Sequence, residues 1–442
     1  MPAPRYILRN EFLSWGRVCR RPQGVATPRF RSELPGLMAS ADTSSVLACG
    51  LRRSYGDTCL NSEGGTIDMR GLDRFMAFDE ATGVLCAEAG LSLSTLLAFA
   101  LPRGWFLPTT PGTRFVTLGG AVANDVHGKN HHSAGSFGCH VRSFGLLRSD
   151  GFRGAVTAGD DPHLFAATIG GLGLTGIIEW VEIQLERVPS AFLEVETLPY
   201  GDLDEFWVLA EESAIHFEHT VAWIDAASGG AKFGRGVFSR ANWRAEGGLV
   251  VHRDRTWKNL PFNAPPFLLN RSLVAGFNAF YWRANRPRRN VHHYARFFYP
   301  LDGIRNWNRL YGKRGMHQYQ CVVPPDAAPR ALDVLLREIA RSGQASFLAV
   351  LKTFGERASP GLLSFPRPGT TLALDFPNRD KDTLELLSRL DGIVLEVGGA
   401  IYPAKDGRIS AEAFQRSFPK WQEFLKYKDK RMSSDFWRRA VA

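Results

Sequence analysis

The sequence predicts an α+β protein of two domains, and three observations carry that expectation. Its 442 residues exceed what one simple core accommodates. From about Val46 to Gly154, short apolar runs are broken by glycine, and a helix and a strand then carry the chain out near residue 190. From about 190 to 395 the pattern changes to two longer strand-helix-strand units, which suit an antiparallel or mixed sheet backed by helices. With 44% hydrophobic and 22% charged residues, the composition is that of a folded chain.

Taken in order, the N-terminal stretch MPAPRYILRNEFLSWGRVCRRPQG lacks the apolar core of a signal peptide. No uncharged apolar run approaches the roughly 18 residues of a spanning helix, so a cytoplasmic protein is expected. In FMAFDEATGVLCAEAG, Glu80 to Gly83 reads as a hairpin turn between two strands. Ser92 caps the helix SLSTLLAFAL, which Pro102 ends; Asp161-Pro162 opens PHLFAATIGG with a cap and a first-turn proline. GLGLTGIIEWVEIQLERV then passes from glycine-rich loop into alternating strand. The two later units are QYQCVVPPDAAPRALDVLLREIARSG with ASFLAVLKTFG, and TTLALDFPNRDKDTLELLSRLDGIVLEVGG. Residues 267–300, ahead of both units within the same domain, are aromatic and arginine-rich, with weak periodicity. The final stretch IYPAKDGRISAEAFQRSFPKWQEFLKYKDKRM returns to loop and helix, its terminal helix ending in lysines that suit a helix C-terminus.

The formal charge of +10 favours an anionic partner: nucleic acid, an acidic membrane or a phosphorylated small molecule. Six scattered cysteines, with no C-x-x-C pair, indicate neither a disulfide framework nor a zinc ribbon. In NDVHGKNHHSAGSFG the histidines His127, His131 and His132 suggest a metal, but H-x-x-x-H-H in a glycine loop is no recognised zinc pattern, and no metal is expected. The basic aromatic run Phe277 to Arg296 has the residue types that stack on bases, yet no nucleic-acid module accompanies it. It reads instead as a segment meeting lipid headgroups, or as a surface loop.

Three glycine-rich turns fall in the first half: CGLRRSYGD, PTTPGTRFVTLGGAVANDVHGKN and GGLGLTGII. Such turns let a backbone approach a phosphate closely. None has the lysine and hydroxyl of a P-loop, and no strand-GxGxxG-helix unit marks a dinucleotide fold. Their order and wording resemble the flavin domain of the vanillyl-alcohol-oxidase type of FAD enzyme. Within that superfamily, HGKNHHSAGSFGCHVRS and the later AKDGR resemble the decaprenylphosphoryl-β-D-ribose 2-oxidase family. The similarity is strong over residues 48–180, clear again at 318–408 and weak over 190–300.

The resemblance implies a PCMH-type FAD-binding fold. Residues 1–190 and the returning segment 398–442 would form the FAD domain, and 191–397 a mixed or antiparallel-sheet substrate domain. It implies oxidation of the 2-hydroxyl of a polyprenylphosphoryl ribofuranose to the ketone, with a partner reductase of the short-chain dehydrogenase type completing epimerisation to arabinose. Peripheral contact with the inner membrane would accompany a lipid-linked substrate. A sugar-lactone or other carbohydrate oxidase is the alternative enzyme, and a non-enzymatic basic binding protein the alternative of another class.

For the cofactor, the resemblance points to Arg52, Arg53, Ser54, Tyr55 and Gly56 at the pyrophosphate, and to Pro111, Gly112, Thr113, Thr117, Gly119 and Gly120 flanking the flavin. Ala123, Asn124, His127, Gly128, Gly176, Ile178, Tyr402 and Lys405 complete that set. Gly119 and Gly120 read as positions where the ring system leaves no room for a Cβ. Gln318, Gln320, Lys352 and Ala373 match the substrate pocket; Lys352 alone would equally mark the solvent end of a strand. The catalytic candidates are Lys405, His127 and Tyr55, either of the last two orienting or deprotonating the sugar hydroxyl. His131 and His132 read as scaffold. Three departures stand out. Arg53 replaces the histidine that many superfamily members bond to the flavin, so FAD should be non-covalent. Arg52 replaces a usual glycine, which puts the local backbone angles in question. Ala373 replaces the cysteine of mycobacterial members, and hydride transfer does not need that thiol.

Overall fold

The computed structural model describes residues 5–252 and 258–441, so the first four residues of the N-terminal stretch lie outside the described residues. Three sheets organise the chain. The first contains β1 (Ile7–Arg9), β2 (Gln23–Ala26), β3 (Val46–Cys49) and β4 (Gly65–Asp68) in the order β1-β2-β4-β3. Its β1-β2 pair is antiparallel and the others parallel, and β4 is buried along its whole length, as parallel strands covered on both faces are.

The second sheet is antiparallel and contains β5 (Phe75–Asp79), β6 (Val84–Glu88), β7 (Val141–Leu147), β8 (Arg153–Thr157) and β9 (Ile177–Gln184), in the order β5-β6-β9-β7-β8. Gly83, at φ 75°, closes the expected hairpin. Helix α1 (Leu93–Ala100) starts where the sequence places it: the Ser92 hydroxyl accepts the Thr95 N–H at 3.0 Å. Helix α2 (Leu118–Ala123) is capped by Thr117, and α3 (Pro162–Thr168) by Asp161, whose carboxylate accepts the Leu164 N–H at 3.0 Å. Loss of such a cap costs about 1 kcal/mol.

The third sheet has eight antiparallel strands: β10 (Phe192–Tyr200), β11 (His219–Ile224), β12 (Gly236–Trp243), β13 (Arg288–His293), β14 (Met316–Val323), β15 (Ala349–Phe354), β16 (Gly369–Pro377) and β17 (Ala400–Ile401). Their order is β13-β10-β12-β11-β15-β16-β14-β17. The sheet is backed by α4 (Leu203–His216), α6 (Ala328–Arg341) and α7 (Lys381–Glu396), while α5 (Arg271–Ala284) lies within the arginine-rich segment. Ala331, Leu332, Leu335, Leu336 and Ile339 recur at helical spacing on α6 and share one core with Cys321, Leu351 and Leu372 of the sheet. Truncating a buried leucine such as Leu335 to alanine costs about 2–5 kcal/mol.

Two expectations need correction. IVLEVGG does not begin a strand: α7 runs through Glu396, with Leu390 and Val394 buried on the core side, so packing overrides the β-branched preference. The final stretch is not one lysine-terminated helix either. It breaks into Ala411–Ser417, Trp421–Phe424 and Asp435–Val441, the first ending before Pro419. Lys428 lies in a turn and donates to the carbonyls of Asp429 and Met432. Among the described residues no helix is long and apolar enough to cross a membrane.

Candidate active site

Residues from strands of all three sheets line a cavity with about 1520 Å³ of atom-free space, part of it open to solvent. Its wall includes Arg52, Arg53 and Ser54 after β3; Pro111, Gly112 and Thr113; and Thr117, Gly119, Gly120, Ala123, Asn124 and His127 around α2. Gly176 and Ile178 come from the start of β9, Gln320, Lys352 and Ala373 from three adjacent strands, and Tyr402 and Lys405 from the turn after β17. Gln320 and Ala373 face each other across the β14-β16 ladder, which puts both on one face. Tyr55, Gly56, Gly128 and Gln318 are not among the residues that line it.

The first loop shows why. The Tyr55 N–H is taken by the Ala404 carbonyl at 2.9 Å, so it is not free for a phosphate. A Cβ on Gly56 would lie 1.5 Å from the Asp406 carbonyl oxygen, so glycine there allows two backbones to touch. Arg52 takes φ 55°, a left-handed angle that a glycine would reach freely. Its guanidinium sits 4.3 Å over the Phe12 ring, and that of Arg53 lies 3.9 Å from Trp15. Gly119 is required for a reason other than the one expected: its Cβ would lie 2.8 Å from Ala89 Cβ, on the side of the second sheet.

The histidine-rich loop is closed by Asp125, whose carboxylate accepts the Gly138 N–H at 2.7 Å and the Ser364 hydroxyl at 2.6 Å. His127 points to the cavity wall. His131 is buried with its ring 4.4 Å from Phe354, and His132 Nε2 lies 2.8 Å from the Phe217 carbonyl. Among the described residues no group of three His, Cys, Asp or Glu is placed to hold a metal.

His127 Nδ1 lies 3.2 Å from Lys352 Nζ, which also donates to the Gly128 carbonyl at 3.2 Å. His127 Nε2 lies 3.0 Å from Gln320 Nε2, which donates to Thr371 Oγ1 at 3.1 Å. Burial, then Lys352, hold His127 well below the usual imidazole range. Burial, reinforced by Lys129 and Lys405, brings Lys352 down to about 7. Lys405 Nζ sits 4.3 Å over the Tyr55 ring; burial lowers its pKa to about 8, with Asp375 opposing. The Tyr55 hydroxyl is pushed far up, mainly by burial and then by Asp375.

Asp375 and Lys129 were not singled out from the sequence. Asp375 accepts the Gln318 amide at 2.5 Å, and burial raises its pKa to about 7. The alternation Thr371, Ala373, Asp375 on β16 is the signal that finds it, since every second residue shares a face. Lys129 donates to the Phe297 carbonyl, and its burial leaves a pKa of about 7. Nothing in its loop wording marks it as buried.

These residues fit FAD. Arg52 Nε and Asn124 Oδ1 are buried without a protein partner, leaving a donor and an acceptor for a ligand. Gly112 and Gly173 face open space at the cavity. Arg52, Arg53 and Lys405 supply cations suited to a diphosphate and an electron-rich ring. Arg53 offers no imidazole for a covalent link. A family model described as an FAD binding domain matches residues 22–153. Fold and site together define an FAD-dependent oxidoreductase acting on CH–OH groups, with an α+β two-domain architecture.

The decaprenylphosphoryl-beta-D-ribose oxidase of Mycolicibacterium smegmatis is 39% identical over 433 residues, 94% of this chain and 93% of that protein. An uncharacterized Streptomyces coelicolor protein is 33% identical over 351 residues, 76% of this chain and 94% of its own. An L-gulono-1,4-lactone dehydrogenase of Mycobacterium tuberculosis is 28% identical over 170 residues, 38% of each chain. The chain belongs to the decaprenylphosphoryl-beta-D-ribose oxidase family.

Proposed function

We propose that the protein oxidises the 2-hydroxyl of a polyprenylphosphoryl-β-D-ribofuranose to the 2-keto sugar, the first half of epimerisation to the arabinose form. The observation that carries this reading is the extent of the similarity: it spans the strands that supply Gln320, Lys352 and Ala373, whereas the lactone dehydrogenase matches 38% of the chain. Residues 1–190 with 398–442 then bind FAD, and 191–397 receive the substrate.

FAD, when bound, would supply the two-electron acceptor for the hydride that the sugar carbon gives up. Lys405 offsets the negative charge that the ring system gains, and the Tyr55 ring beneath holds its ammonium in place. His127 orients the sugar hydroxyl or receives its proton. Gln320 and Lys352 contact the sugar, Gln318 fixes Asp375 behind them, and Ala373 leaves space where other members carry a thiol.

The keto product needs a second enzyme, a short-chain-dehydrogenase-type reductase. What supports peripheral contact of a cytoplasmic protein with an anionic membrane is α5, where Leu273 and Phe280 are 50% and 69% exposed near the exposed arginines 271, 283 and 286. Anaerobic flavin bleaching tests the reaction: polyprenylphosphoryl ribose should bleach the holoenzyme, free ribose and aldonolactones should not. Bleaching by a lactone alone overturns the assignment.

A further inference from the structure

The hydrogen-bond chain through His127 constrains where protons sit. The Gln320 amide nitrogen has two N–H groups, and the acceptors within reach are Thr371 Oγ1 at 3.1 Å and His127 Nε2 at 3.0 Å. With Nε2 accepting, a neutral imidazole carries its hydrogen on Nδ1, which faces Lys352 Nζ at 3.2 Å. The Lys352 nitrogen then needs a lone pair, so it is an amine and not an ammonium. The same heavy atoms support one other arrangement: Lys352 as ammonium donating to Nδ1, hydrogen on Nε2, and the Gln320 amide turned so that its oxygen receives it. The two arrangements differ by one proton.

The alternatives fare worse. Tyr55 is not among the residues of the cavity wall, and burial, then Asp375, push its hydroxyl far up, so it keeps its own proton and offers no phenolate to act as base. His127 acting alone would become an imidazolium next to Lys352, with Lys405 also near. A full charge there is opposed by burial first, by Lys405, and by Lys352 whenever that lysine is itself protonated.

We propose, on the reading that this cavity oxidises a sugar hydroxyl, that His127 and Lys352 act together as its proton acceptor. The substrate O–H bond breaks and the proton bonds to His127 Nε2; the Nδ1–H proton passes to the Lys352 amine; the carbon gives its hydride to FAD and the C–O bond becomes C=O. No imidazolium forms. The charge ends on Lys352, which the Gly128 carbonyl already receives as a donor. Gln320 positions His127 by holding Nε2 as an acceptor until the hydroxyl takes its place. The Lys352 pKa near 7 agrees with an amine that is free to accept at neutral pH.

Two measurements on the holoenzyme test this. Competitive acetylation across pH, read by peptide mass spectrometry, needs no substrate; the Lys352 peptide should titrate with a midpoint near 7. A midpoint near 10, like that of a surface lysine, overturns the proposal whatever the substrate proves to be. Stopped-flow bleaching then compares variants that keep their flavin absorbance and melting temperature. Lys352→Arg is a permanent cation that forces Nδ1 to accept, so bleaching should slow by about 100-fold or more and lose its rise with pH up to about 7. Small primary amines should restore Lys352→Ala in order of their basicity. A Lys352→Arg enzyme as fast as the wild type, or a His127→Gln enzyme that keeps both rate and pH step, overturns the relay.

Discussion

At the scale of single residues, the cavity is a place where lysines lose their protons readily. Lys352 and Lys405 are both half-buried in desolvating surroundings, and the carboxylate that offsets Lys405, Asp375, is itself pushed up to about 7. A lysine with a lowered pKa carries its charge below that value and loses it as pH rises. The Lys405 cation is therefore present below about pH 8 and absent above it. If this charge stabilises the reduced cofactor, bleaching should slow as pH passes 8, whereas the Lys352–His127 pair makes it rise up to about 7. A bell-shaped profile with its top between these values is expected. Lys405→Ala should keep FAD, bleach about 100- to 1000-fold more slowly, and lose the alkaline limb. An alkaline limb unchanged in Lys405→Ala removes that residue from the charge-stabilising role. Arg53 shows what a single residue makes legible, because a guanidinium cannot replace a bonding imidazole. Asp375 shows the reverse: alternation along its strand puts it on the face of Ala373, but its role emerges only with Gln318 opposite it.

At the scale of elements, local signals read well and tertiary ones poorly. The Gly83 hairpin and the Ser92 and Asp161 caps are decided within a few residues, and each lies where the sequence places it. The helix through Ile393 and Val394 is decided by the sheet it covers, which no local propensity contains. The arginine-rich segment was the hardest to read because it has two destinations: Tyr294, Phe297 and Phe298 bury in the core of the first two sheets, while α5 leaves Leu273 and Phe280 outside. That exposed face gives a test. Holoenzyme should sediment with vesicles containing anionic phospholipid and much less with neutral ones, since each arginine near such a surface contributes about 1 kcal/mol. Leu273→Ser with Phe280→Ser should lower the bound fraction several-fold while flavin content stays unchanged. Equal sedimentation of variant and parent counts against membrane contact.

At the scale of the whole molecule, the cavity exists because distant segments close on one another. The third sheet, the glycine turns of the first half and the turn after β17 each supply part of its wall. Tyr55 bonds Ala404, Arg439 reaches Asp57 at 2.7 Å and Asp406 at 3.4 Å, and the Asp435 N–H donates to the Leu60 carbonyl. Spacing in the sequence encodes none of these closures; ordered motif wording was the one feature that linked residues 52–56 to 402–405. Two glycine substitutions separate closure from cofactor contact. In Gly56→Ala the new methyl would fall 1.5 Å from the Asp406 carbonyl oxygen, so the two backbones must part and move Lys405 with them. Both the melting temperature without cofactor and the affinity for FAD should fall. In Gly112→Ala nothing lies within 4 Å of the methyl except cavity, so the apoprotein should melt as the parent does. Its FAD affinity alone should drop, shrinking the stabilisation that saturating cofactor adds, about 2.7 kcal/mol at a hundredfold excess over Kd. Thermal melts with and without FAD, together with an FAD titration, distinguish the two. A Gly56→Ala protein with parental apoprotein stability and FAD affinity would show that the contact between residues 56 and 406 does not shape the site.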